Sequence, residues 1–194
     1  LHNGGGNYFD VVSFHGYPYY DGTLQRDVHH EDWKARGGVV LGKVDFIREV
    51  MSAYNVDKPL MLTEGSLIYP DNDTTPDQAF YEAQADYVVW LFVRNWAEGL
   101  LGTTWYQFEG PGWRYGGMLD QDQEPKPVYQ AYKFMAETLS DMTYDRTLTQ
   151  YPELRAYAFY GLGKRIWVLW APDETPHTIT LPADVRVVYD KYGN

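Results

Sequence analysis

Three short apolar runs, each followed by a stretch of helical periodicity, constrain this chain more than any other feature. Residues 8–14 (YFDVVSF) are β-branched and aromatic and are bounded by glycines, the pattern of a strand buried on both faces of a parallel sheet. Residues 44–54 (VDFIREVMSAY) place Val44, Ile47, Val50, Met51 and Tyr54 on one helical face, and Pro59 forbids continuation beyond it. Residues 59–63 (PLMLT) read as a second buried strand, which delivers Glu64-Gly65-Ser66 at its end. Thr75-Pro76-Asp77 combines a capping hydroxyl, a first-turn proline and an acid that suits the helix dipole, and the helix it opens is expected to run to Glu98, where Gly99 stops it. A third strand over 101–108 (LGTTWYQF) leads into a Gly- and Asp-rich loop through Gln123, then a helix from Lys126 to Leu139 opened by Pro127. Strands alternating with helices in this way predict an α/β protein with a parallel sheet.

The period changes after Leu154. RAYAFYG and KRIWVLWA flank Gly161-Leu162-Gly163, and HTITLPA and VRVVYD follow at short spacing, which predicts antiparallel hairpins. An all-β module is therefore expected to begin between Asp141 and Thr149. Its four strands are fewer than a closed sandwich uses.

Composition removes several classes of function. A formal net charge of -11 opposes binding to a phosphate backbone, so no nucleic-acid partner is expected. The absence of cysteine excludes disulfides, thiolate metal sites and a cysteine nucleophile, and is compatible with a secreted or a cytoplasmic location. No apolar run reaches the roughly 18 residues that span a bilayer, and residues 1–6 (LHNGGG) have neither the basic start nor the apolar core of a signal peptide. Because the chain passes almost at once into a buried-type strand, a cut end is the expectation there. Aromatic residues form 17% of the chain, which suits stacking on sugar rings as well as a large core.

In an α/β barrel the reacting groups sit where strands end. Those positions hold His15-Gly16-Tyr17, then Thr63-Glu64, then Trp105 with Tyr106, Gln107 and Glu109. A carboxylate just after PLML has little water around it unless a cleft lies there. Trp113, in GPGWRYGG, is an indole among glycines and is a candidate binding contact. His29-His30-Glu31-Asp32 does not close a metal shell, because adjacent histidines diverge and no further ligand is suitably spaced. Gly4-Gly5-Gly6 lacks the preceding strand of a phosphate-binding loop. Neither a metal nor a cofactor is expected.

DVVSFHGYP, PLMLTEG and TTWYQF, with the later PKPVYQAY, resemble strands six, seven and eight of the clan A glycoside hydrolases. The resemblance implies the C-terminal portion of a (β/α)8 TIM barrel over 1–141, followed over 142–194 by the start of an appended β-sandwich. It implies a retaining enzyme acting on an oligo- or polysaccharide with β-linkages, in which Glu64 is the nucleophile and Tyr17 and His15 orient it. Trp105 then floors the sugar site, with Tyr106, Gln107, Glu109 and Trp113 beside it. Retaining hydrolysis needs two carboxyls about 5 to 5.5 Å apart. In the clan the acid/base follows an asparagine at the end of strand four, and no Asn-Glu pair occurs in this chain. The chain is thus expected to carry the nucleophile half, to need the missing N-terminal half of the barrel as its partner, and to be inactive alone. Glu109, beyond strand eight, is not expected to replace the acid. The alternative is a non-catalytic barrel fragment that binds carbohydrate or a partner protein.

Overall fold

The computed structural model describes residues 1–24 and 30–194. The described residues form a mixed α/β structure with two three-stranded sheets, one parallel and one antiparallel. The parallel sheet, in the order β1-β2-β3, is built from β1 (Val12–Gly16), β2 (Leu60–Gly65) and β3 (Gly102–Trp105). Helix α1 (Val39–Ala53) connects the first two strands and α2 (Gln78–Ala97) the second pair, and α3 (Pro127–Leu139) follows β3. The antiparallel sheet, in the order β4-β5-β6, consists of β4 (Thr143–Thr147), β5 (Arg155–Gly161) and β6 (Lys164–Trp170).

Several boundaries differ from those expected, each for a local reason. The first strand begins at Val12, whose amide opens the ladder by donating to the Pro59 carbonyl (3.0 Å), while Gly5–Asn7 form a 3-10 turn and Tyr8 lies exposed. Helix α1 starts five residues earlier than its apolar periodicity indicates, so Val39 and Val40 join the core. The carboxylate of Asp77, not the hydroxyl of Thr75, caps α2, accepting from the Phe80 amide at 3.1 Å. Strand β3 ends at Trp105, and the Tyr106–Gln107 peptide that follows is cis.

The largest departure lies at 177–190, where the expected pair of strands does not form. An alternating sequence becomes a strand only when a neighbour takes its N–H and C=O groups. Here Val185, Val187 and Val188 stay exposed, and the segment is held by local contacts in place of a strand ladder, such as the Tyr151 hydroxyl donating to the Thr180 carbonyl (2.9 Å) and His177 meeting Asp173 (3.0 Å). The second module is a three-stranded sheet in place of the four expected strands.

Pairing changes from parallel to antiparallel between β3 and β4, and the apolar core crosses that change. Val93 of α2, Met135 and Leu139 of α3, and Tyr157 and Phe159 of β5 form one buried cluster. Trp170 stacks between Trp90 and Tyr157, with ring centroids 5.5 and 5.3 Å away. Phe159 is fully buried against Trp96 and Tyr144. Truncating it, Phe159→Ala, is expected to cost about 3–5 kcal/mol. Urea unfolding followed by tryptophan fluorescence and far-UV circular dichroism should show a single transition moved to lower denaturant. Two separate transitions would mean that the antiparallel sheet unfolds alone.

Candidate active site

Parallel pairing puts the C-terminal ends of all three strands on one rim. Register aligns His15 with Glu64, and Gly65 with both Gly16 and Trp105. Gly65 permits this close approach, since a Cβ there would lie 2.8 Å from the Leu62 side chain and 3.1 Å from the Gly16 carbonyl. Relative to both neighbours, β2 carries one extra residue between Leu62 and Gly65. Strict alternation would put Glu64 on the face of Leu60 and Leu62, both buried. The bulge breaks that parity and re-aims the carboxylate, whose side chain keeps 36% of its surface exposed.

Two side chains of the neighbouring strand converge on this carboxylate. The Tyr17 hydroxyl donates to Glu64 Oε2 at 2.6 Å, and His15 Nδ1 lies 3.3 Å from the same oxygen. Burial pushes the Tyr17 phenol well above its ordinary pKa, and the Glu64 carboxylate that accepts its proton raises it further. Tyr17 therefore remains a donor throughout the neutral and moderately alkaline range. Its ring is met edge-on by Trp113 at 5.5 Å, Tyr106 at 6.2 Å and His15 at 6.5 Å. Trp113 is 46% and Tyr106 37% exposed. The rim thus holds an accessible, hydrogen-bonded carboxylate beside exposed aromatic faces, which is the chemistry of a site for a polar ligand with apolar C–H surface.

Trp105 departs from expectation. It is 7% exposed, packs on Tyr87 and spends its indole N–H on the Gly116 carbonyl at 2.8 Å, so it is a core residue without a free face for a sugar. Gln107 donates its amide to the Glu109 carbonyl (2.8 Å) and braces the loop after β3, in which Glu109 is exposed. One contributor went unread in the sequence: Lys43 on α1 donates to the His15 carbonyl at 2.9 Å, and desolvation lowers its pKa. Its spacing on α1 carries no sign of that contact.

Among the described residues no group of three His, Asp or Glu side chains could hold a metal. His29 lies outside the described residues, and His30 Nδ1 accepts from the Asp32 amide at 3.3 Å. No helix among the described residues is long and apolar enough to cross a membrane.

No protein-family model matches the chain, and no curated protein matches it. Among solved structures it is similar to a family 39 glycoside hydrolase from the gut symbiont Bacteroides cellulosilyticus WH2, with 22% identity and a TM-score of 0.49. The likeness covers 65% of this chain and 26% of that one, so this chain spans about a quarter of its length.

Proposed function

We propose that Glu64 is the nucleophile of a retaining glycoside hydrolase that cleaves β-linked carbohydrate. The observation that supports this reading is the 2.6 Å bond from the Tyr17 phenol to Glu64 Oε2 on an open rim. In the first step the free carboxylate oxygen attacks the anomeric carbon. The bond to the leaving oxygen breaks, an acid/base carboxyl protonates that oxygen, and a glycosyl ester forms on Glu64. Water then attacks the same carbon, giving its proton to the acid/base residue, and Glu64 leaves as a carboxylate. Tyr17 and His15 hold Glu64 in line for attack, while Trp113 and Tyr106 face the sugar. On this reading the acid/base residue belongs to the other part of the barrel.

The test is the anomer first formed by the complete barrel on an aryl β-glycoside, followed by proton NMR. Retention of configuration is expected, and net inversion would contradict the mechanism. The exposed Trp113 and Tyr106 also favour a second reading, a rim that binds sugar without cleaving it. Oligosaccharide binding by an enzyme whose strand-four carboxyl is intact but which never turns over would select that alternative.

The same reading has a consequence for assembly. Among the described residues, strands β1 and β3 each have one unpaired edge in the parallel sheet, and beside β1 lies a cleft of about 390 Å3 lined by apolar side chains that include Phe9, Val11, Phe46 and Val50. Open edges and apolar clefts recruit further strands. Sedimentation of the 194-residue chain alone is expected to show self-association that the rest of the barrel suppresses. A dispersed 22.5 kDa monomer would contradict it.

A further inference from the structure

The loop after β3 presents Trp113 to the rim, and its backbone is held from beneath in an unusual way. Arg114 and Tyr115 both adopt the left-handed region, at φ 50° and 59°, which non-glycine residues rarely occupy consecutively. Three successive carbonyls then accept hydrogen bonds from the interior. The Arg114 carbonyl takes the Tyr69 amide at 2.9 Å. The Tyr115 carbonyl takes two side chains, Gln84 Nε2 at 3.0 Å and Lys126 Nζ at 2.9 Å. The Gly116 carbonyl takes the Trp105 indole N–H at 2.8 Å. Gln84 is fully buried, and Lys126 and Trp105 are each 7% exposed. Above this cradle the loop closes so tightly that a Cβ on Gly117 would lie 2.1 Å from the Gly110 carbonyl.

We infer that Gln84, Trp105 and Lys126 are positioning residues: they fix the backbone under Trp113, and so set the platform against which the substrate lies beside Tyr17 and Glu64. This rests on the reading of the rim as a sugar site. Lys126 is the informative member. Its ammonium sits over the Tyr81 ring, 5.4 Å from the centroid, and burial lowers its pKa to about 8 against the opposing pull of Asp120. Burying such a charge opposes folding, and an apolar side chain of similar volume serves stability as well or better. What the lysine provides is a donor to the Tyr115 carbonyl, where a methionine has none.

The test compares Lys126→Met, Lys126→Arg and Trp105→Phe in two arms. In the 194-residue chain, hydrogen exchange of the amides of residues 113–117 is followed by mass spectrometry. Lys126→Met is expected to raise exchange there by about tenfold or more while the urea midpoint is kept or raised. Lys126→Arg, which retains a donor, should restore protection. Unchanged exchange at 113–117 in both donor-deleting variants would overturn the inference. In the complete barrel enzyme, Lys126→Met and Trp105→Phe are expected to raise KM for an aryl β-glycoside by about five- to fiftyfold with kcat held within about twofold. A fall in kcat at constant KM would likewise overturn it. If the wild-type complete enzyme cleaves no glycoside, the nucleophile reading fails, and the exchange arm alone decides whether the cradle holds the loop.

Discussion

Glu64→Gln is expected to remove turnover from the complete barrel enzyme, by on the order of 10^4-fold or more in kcat. The swap keeps the side chain's shape, and its carbonyl oxygen can still accept from Tyr17, so the local geometry is preserved. What disappears is the negative charge that attacks the anomeric carbon and balances the oxocarbenium-like transition state. Glu64 is 36% exposed in the folded chain and stands on the rim outside the packed core. Its replacement weakens the charge-assisted bond from Tyr17 to a neutral one and should therefore change stability by about 1–2 kcal/mol, which leaves the chain folded. Activity on aryl β-glycosides and urea unfolding, measured on the same preparation, separate the two effects. Near-normal turnover would remove Glu64 from the mechanism. Lost turnover together with unfolding would show that the carboxylate holds the rim together.

Tyr17→Phe is expected to be milder in its effect on turnover. It deletes the 2.6 Å donor to Glu64 and leaves a ring that can still meet Trp113 and Tyr106 edge-on. A hydrogen bond to a charged acceptor contributes about 1.5–3 kcal/mol. Losing it in the transition state corresponds to roughly a ten- to a few-hundredfold fall in kcat. Because burial and Glu64 together hold the phenol well above its ordinary pKa, it does not lose its proton between pH 5 and about 9. The ratio of wild-type to variant activity should therefore be flat across that window. A ratio that collapsed toward unity as pH rose from 7 to 9 would mean that Tyr17 ionises and does not serve as the donor.

The parts of this site that follow a strand were legible in the sequence, because a parallel sheet orders its strand ends on one rim. The strand ends put His15, Tyr17 and Glu64 on one rim, and the resemblance implied that Tyr17 and His15 orient Glu64. The bulge in β2 was not legible: no residue type marks it, and it emerges from the register with both neighbours. Trp105 misled because a four-residue strand at the end of a loop gives too few positions to show which way a tryptophan points, and its indole turned inward to the Gly116 carbonyl. Lys126 was visible only as the residue before Pro127 at a helix start, and Gln84 only as a polar position on a long helix. Their shared acceptor, the Tyr115 carbonyl, lies in a loop whose path no periodicity records. Residues 177–190 had the alternation of strands, but pairing depends on a partner edge as much as on the strand itself.

The nucleophile assignment is tested most directly by chemical rescue. Shortening Glu64→Gly in the complete enzyme leaves a cavity where the carboxylate stood, and azide or formate of small size can enter it. With an activated aryl β-glycoside the anion should attack the face that Glu64 uses, and the product should be the glycosyl adduct of inverted, α configuration, formed at a rate that rises with anion concentration. If activity stays flat with azide and formate, or if any adduct keeps the β configuration, Glu64 is not the nucleophile.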